Sequence, residues 1–392
     1  MITAESLHAR LAPLEEIGLG ERGVSRLAWT PEDAACRAWF RRQAQALRLI
    51  VATDPAGNLW ACPSVQPPWW AAGSHLDSVR EGGRFDGPLG LACAFEIAAE
   101  RPIAVLAFAD EEGARFNTPT FGSRALAGRL DLPKVFERRD ERGVTLREAL
   151  GATGVHPAEV GTAPSWLPRL AGFIEVHIDQ STAIARAGAP VGLAGALVTR
   201  LRLEVELRGR ADHAGATPRG ERRDALAAAA RLMVAADELA EGGDRLIVTT
   251  SRIVAHPNAP TTIARRVGLW IDARAPVASE VEQWLRALRQ FAEELASRTR
   301  VEIALRTASR SDGRELSPQL RVRLARAGET VAGRPVPEIV CFAGHDAGVL
   351  AEHIPSAVVL VRNRSGVSHA PEESVDLADA ATAANVVVAA LG

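Results

Sequence analysis

Three short apolar runs constrain the fold of this chain more than any other feature. Residues 103–108 carry no charge and stop just before Asp110-Glu111-Glu112. Residues 172–178 form a second such run with His177 near its end, and residues 358–361 form a third, leading into the loop that holds His369. Runs this short suit strands buried on both faces of an α/β sheet. In open α/β sheets, sites form at the carboxyl ends of the strands. Here three candidate ligand groups fall at three such ends. Between the runs lie helical patterns, among them residues 31–47, opened by Thr30 as cap and Pro31 at the first position.

The middle of the chain reads differently. Leu201, Leu203, Val205 and Leu207 alternate with Arg202, Glu204 and Glu206, the pattern of a strand with one wet face. Helical patterns follow at 224–239 and 279–296, and strand-like runs at 245–254, 267–273 and 301–305. Strand-helix-strand-strand-helix-strand predicts a compact α+β unit with a four-stranded antiparallel sheet and two helices. Site-type segments lie on both sides of it, so it reads as an insertion at 193–308. The expected whole is a mixed-sheet α/β/α catalytic domain (1–192 and 309–392) carrying that inserted domain.

Composition removes several functions. At 392 residues the chain has room for two cores. The formal net charge of −2 gives no reason to expect nucleic acid or a membrane surface as partner. No apolar run approaches the roughly 20 residues that span a bilayer. The opening Met1–Ser6 lacks the basic start and apolar core of a signal peptide, which makes a cytoplasmic location the expectation. Cys36, Cys62, Cys93 and Cys341 form no C-x-x-C pair, so reduced thiols are expected rather than disulfides or a zinc knuckle. Tyrosine is absent and Lys134 is the only lysine, so a tyrosine acid is impossible and Schiff-base chemistry rests on one residue in an ordinary context. There is no P-loop and no G-x-S-x-G elbow.

What remains is oxygen and nitrogen ligation. His75 and Asp86 are eleven residues apart, and Gly82, Gly83, Gly87 and Gly90 let the loop return. Asp77 is placed to accept the other ring N–H of His75. Glu111 and Glu112, adjacent after a strand, are expected to point opposite ways, one toward metal and one toward the substrate water. Imidazole with carboxylate suits zinc, manganese or cobalt. A shared carboxylate holds two such ions roughly 3.5 Å apart, as in two-metal hydrolases.

These segments, with Glu175-Val176-His177-Ile178-Asp179-Gln180, His213-Ala214-Gly215-Ala216-Thr217-Pro218, Gly366-Val367-Ser368-His369 and Pro371-Glu372-Glu373, resemble the N-carbamoyl-L-amino-acid hydrolase and allantoate amidohydrolase family. That family is a branch of the dinuclear-metal aminoacylase and carboxypeptidase superfamily. The resemblance implies two divalent ions per subunit, zinc or manganese with cobalt or nickel as alternatives. One would be held by His75 and His177, the other by Glu112 and His369, with Asp86 bridging. It implies Glu111 as the general base acting on a metal-bound water, Asp77 in support behind His75, and His213 stabilising the oxyanion in the partner subunit's site. Arg274 would hold the substrate carboxylate, with Gln180, Thr261, Ser365 and Gly366 as further substrate contacts and Arg222 as a structural residue. The implied substrate is a small ureido or N-acyl amino acid. The implied assembly is a homodimer formed through the inserted domain.

Three departures from the family pattern bear on the substrate. Thr261 stands where an asparagine is usual, Ser181-Thr182 where Gly-Pro is usual, and Cys341-Phe342 where Ser-Gly is usual. A site built to hydrogen-bond one polar group discriminates strongly when that group changes. Hydrolysis of another N-acyl or amide substrate is therefore the alternative reading, and a non-catalytic metal-containing binding protein a more distant one.

Overall fold

The structure, a computed structural model, describes residues 1–241 and 245–392. It divides into two compact units: Met1–Gly195 with Glu315–Ile339 and Ala343–Gly392, and Ala196–Arg314 with Val340–Phe342.

In the first unit a mixed sheet includes seven strands in the order Ile50–Thr53, Leu59–Cys62, Ala104–Phe108, Trp69–His75, Leu170–Ile178, Ser356–Val361 and Val191–Leu197. The four strands from Ala104–Phe108 to Ser356–Val361 run parallel, so their carboxyl ends share one edge. Antiparallel partners flank them. All three apolar runs of the sequence are central strands, and Ala104–Phe108 and Ser356–Val361 are buried throughout.

Helices cover both faces. On one, Pro31–Ala46, Pro88–Glu100 and Leu377–Ala390 pack Trp39, Phe40, Phe95 and Val387 against Leu59, Ala61, Val105, Ile174 and Val359. Trp60 points the other way, as strand alternation requires, and meets Trp166 of the 3-10 helix Val160–Arg169 at a tilted angle. The Pro31–Ala46 helix begins as its sequence indicates, with the Thr30 hydroxyl accepting the Asp33 N–H.

Two glycines hold the site loop tight against this framework. Gly87 has φ +83° and lies so near the His75 ring that a Cβ there would meet it at 2.6 Å. At Gly90, in the following helix, a Cβ would meet the Val176 carbonyl at 2.2 Å. Only glycine lets the helix sit this close to the sheet.

The second unit has the predicted α+β pattern. Its antiparallel strands lie in the order Ile247–His256, Arg266–Ala275, Thr199–Arg208 and Glu302–Ser311. Leu201, Leu203, Val205 and Leu207 face a core shared with Leu232 of helix Ala225–Glu238 and Trp284, Leu288 and Leu295 of helix Ala278–Thr299. The last strand runs beyond the 301–305 pattern, past a register irregularity between Thr307 and Ser309. No helix among the described residues is long and apolar enough to cross a membrane.

Candidate metal centre

The parallel strands bring their carboxyl-end residues to one place. His75 is the last residue of its strand, and its Nε2 lies 3.3 Å from Asp86 Oδ1. His177, one residue before the end of the neighbouring strand, places Nε2 3.1 Å from the same oxygen. The other oxygen, Oδ2, faces a second group. His369 Nε2 is 3.5 Å from it and 3.4 Å from Glu112 Oε2. Two donor sets result, His75–Asp86–His177 and Asp86–Glu112–His369, sharing Asp86. Glu111 stands beside the first, its Oε2 3.9 Å from His75 Nε2.

The ring orientations decide what can sit between these groups. His75 Nδ1 is 3.0 Å from the Asp77 carbonyl oxygen, and His177 Nδ1 is 3.0 Å from the Ile178 carbonyl oxygen. A carbonyl only accepts, so each Nδ1 carries the proton. In the neutral imidazole, each Nε2 then directs a lone pair at Asp86, which is repulsive unless a cation or a second proton lies between. The His75 Nε2 and Glu112 Oε1 are both buried without a hydrogen-bond partner. Buried polar atoms in this condition call for an ion, and the donor set suits a borderline or hard divalent metal. The residues present therefore fit a pair of divalent ions.

Without an ion, these groups shift one another's protonation. Burial disfavours the His75 imidazolium, but Asp86, Glu111 and Asp77 outweigh it and hold its pKa well above the ordinary value. Asp86 is correspondingly held well below the carboxylate range, burial being overcome by His177, His369 and His75. Glu112 is pushed well up by burial and by Asp86. Hydrogen bonding to Asp86, only partly offset by burial, raises His369 to about 9. Glu111 is raised by burial, with His75 opposing, the direction that suits a group passing a proton near neutral pH.

Asp77 acts differently from the sequence expectation. Its backbone carbonyl, not its carboxylate, orients His75; the nearer carboxylate oxygen is 3.7 Å from Nδ1. The carboxylate instead accepts the backbone N–H groups of Glu111 and Glu112, each at 3.1 Å. The reason is local: Asp110 takes a left-handed φ of 52°, which turns the next two amides toward Asp77. For the same reason Glu111 and Glu112 diverge from a bend rather than from extended backbone.

Gln180 donates to Asp86 Oδ2 at 2.7 Å and so borders the second donor set. Ser365 and Gly366 lie in the loop before His369, where the N–H of each and the Ser365 hydroxyl donate to Asn363 Oδ1. In this structure those groups shape the loop.

His213, Thr261 and Arg274 belong to the second unit. His213 is exposed, and its Nδ1 accepts the N–H of Gly215 and Ala216, leaving Nε2 as the N–H donor. Thr261 is adjacent, its carbonyl accepting the Ala214 N–H. Arg274 is clamped by Asp272 through Nε (2.6 Å) and by the Phe342 carbonyl through Nη1 (2.7 Å). Arg222 donates to the carbonyls of Thr217 and Ala214, a scaffold role for the His213 loop.

Several buried polar residues were not apparent in the sequence. Glu175 accepts the Ser74 hydroxyl and the Ala347 N–H, and the His345 ring packs edge-on to His177 at 4.5 Å. Asp346 accepts the Ser123 hydroxyl. Glu373 bonds to the backbone of Phe85 and Asp86. One usable signal was present, since Gly344-His345-Asp346 follows a strand as the other ligand segments do.

Fold and donor set together define the class: an α/β/α domain with a candidate metal centre at the carboxyl ends of its parallel strands, bearing an α+β insertion. The particular family follows from comparison. The sequence profile of Peptidase family M20/M25/M40 matches residues 68–392, and the chain belongs to that family. It is 33% identical to an N-carbamoyl-L-amino acid amidohydrolase of Geobacillus stearothermophilus, covering 99% of this chain and 97% of the relative. It is 29% identical to an allantoate amidohydrolase of Bacillus subtilis, covering 90% and 88%. Among solved structures, a hydantoinase/carbamoylase family amidase from Burkholderia vietnamiensis superposes with a TM-score of 0.90 at 28% identity, over 100% of this chain and 97% of that one.

Proposed function

We propose that this protein, a hydrolase of the carbamoylase and allantoate amidohydrolase type acting on non-peptide C–N bonds, cleaves an N-carbamoyl amino acid or a related ureido acid. The observation that carries this reading is Asp86, whose two oxygens face two separate imidazole-containing donor sets with Glu111 alongside.

On this reading His75 and His177 hold one divalent ion, Glu112 and His369 the other, and Asp86 both. When bound, such ions polarise a carbonyl and make water more acidic. Glu111 accepts the proton of the attacking water and delivers it to the departing nitrogen. Asp77, through the amides of Glu111 and Glu112, fixes where those two side chains start. Gln180 orients Asp86. His213 presents Nε2–H, the tautomer an oxyanion needs. Arg274, pre-oriented by Asp272, retains N–H groups for a substrate carboxylate. The inserted unit serves as lid and dimerisation surface.

Ammonia release from N-carbamoyl amino acids and allantoate tests the proposal. Activity is expected to disappear on chelation and return with manganese or zinc, and substantial turnover by fully chelated enzyme refutes it. Thr261 and Phe342 favour a second reading, hydrolysis of another N-acyl amino acid. A panel of carbamoyl, formyl and acetyl amino acids separates the two, because exclusive turnover of the carbamoyl compounds eliminates the second.

A further inference from the structure

We propose that Glu373 is a positioning residue that ties the Asp86 loop to the His369 loop and so sets the geometry between the two donor sets. The inference rests on the reading of Asp86 and His369 as metal ligands. Glu373 is 3% exposed and lies four residues after His369. Its Oε1 accepts the N–H groups of Phe85 and Asp86, both at 3.0 Å. Its Oε2 accepts the Ser368 hydroxyl at 3.0 Å, and that hydroxyl is also 3.2 Å from Asp86 Oδ2. One carboxylate thus holds the backbone of Asp86 and, through Ser368, the Asp86 carboxylate and the residue before His369.

The chain makes room for this contact. Gly83 carries no side chain at the point where Glu373 passes, and a Cβ there would lie 2.3 Å from Glu373 Oε1. Gly83 and Glu373 are complementary although 290 residues separate them. A metal-ligating carboxylate is itself usually held by hydrogen bonds that fix its orientation, and loss of such a partner weakens metal binding.

The side-chain chemistry yields a discriminating variant. Ser368 has one hydroxyl hydrogen for two carboxylate acceptors. In Glu373→Gln, the amide oxygen keeps both backbone N–H groups while the NH₂ donates to Ser368 Oγ, freeing the hydroxyl hydrogen for Asp86. Glu373→Gln should therefore preserve the geometry, and Glu373→Ala should destroy it.

The test is equilibrium titration of the full-length protein with manganese or zinc against a competing chelator, with melting temperature recorded for metal-free and loaded forms. Wild-type protein should bind two ions. Glu373→Ala should bind at least one of them about 10- to 100-fold more weakly, while Glu373→Gln stays within about threefold of wild type. Gly83→Ala, which displaces the carboxylate without removing it, should follow Glu373→Ala, and it stands in if that variant fails to fold. Unchanged ion affinities in Glu373→Ala with equally lowered melting of both forms would mean a merely structural residue and overturn the proposal. Equal weakening in Gln and Ala overturns it too. Wild-type protein that binds no ions instead removes the metal-ligand reading beneath it.

Discussion

Replacing Asp77 by asparagine probes how far catalysis here depends on two backbone amides. The Asp77 carboxylate is 2% exposed and accepts the N–H groups of Glu111 and Glu112 at 3.1 Å each. Asparagine keeps the shape but offers one acceptor oxygen, and its NH₂ then opposes the second amide. One charge-assisted bond is lost, worth about 1.5–3 kcal/mol. If that loss appears wholly in the transition state, because Glu111 or Glu112 no longer starts in position, kcat/KM falls about 10- to 150-fold. Burial pushes the Asp77 carboxyl up, so the neutral amide recovers some desolvation and the loss of fold stability should be smaller than the kinetic loss. The assay pairs kcat/KM at saturating metal with the urea midpoint. A variant within threefold of wild type in kcat/KM would show that the two amides do not set the glutamates, and the reasoning fails.

Glu111→Gln should keep both ions yet lose about 10²- to 10⁴-fold in kcat; metal analysis alongside kinetics checks this, and loss of bound metal would contradict it. Loading the apoprotein at 100 times Kd should stabilise it by about 2.7 kcal/mol per ion bound, read as a raised denaturation midpoint that chelator reverses. In the metal-free protein, His369 is held at about 9, above its ordinary 6.5, so its contribution is complete below about 6.5 and lost as pH rises through 9. The raised Glu112 carboxyl acts in the same direction. Melting of chelated protein should therefore fall across that interval, and less steeply in His369→Asn. Arg274→Lys should raise KM at least about tenfold for substrates bearing a carboxylate, since a point charge replaces a planar fork; an unchanged KM removes Arg274 from substrate recognition.

Much of the fold and the donor set was legible because it is written locally. The runs before Glu111 and before His369 are uniformly apolar, and the run around His177 is apolar apart from Glu175 and His177, because those strands are buried; the glycines around Asp86 mark a loop that must turn tightly. The role of Asp77 was misjudged because sequence proximity to His75 suggested a side-chain contact, whereas the left-handed turn at Asp110 brings amides 34 and 35 residues away to the carboxylate. Glu373 and Glu175 stand within motifs already quoted, but their roles were not legible for a related reason. Their backbone partners lie more than 170 residues along the chain, and a glutamate's identity says nothing about what it will meet there.

The strand order also has a consequence for synthesis. Ser356–Val361 sits between Leu170–Ile178 and Val191–Leu197, so the open edge of Leu170–Ile178 waits for a partner translated more than 170 residues later. At about 5–20 residues per second that interval lasts roughly 10–35 s. Throughout it the nascent chain displays an unpaired apolar strand beside candidate ligands that lack only His369, the kind of edge that invites wrong pairing. Yield in the cell should accordingly depend on chaperone supply and elongation rate. A message truncated before residue 356 should produce aggregate rather than a weakened enzyme.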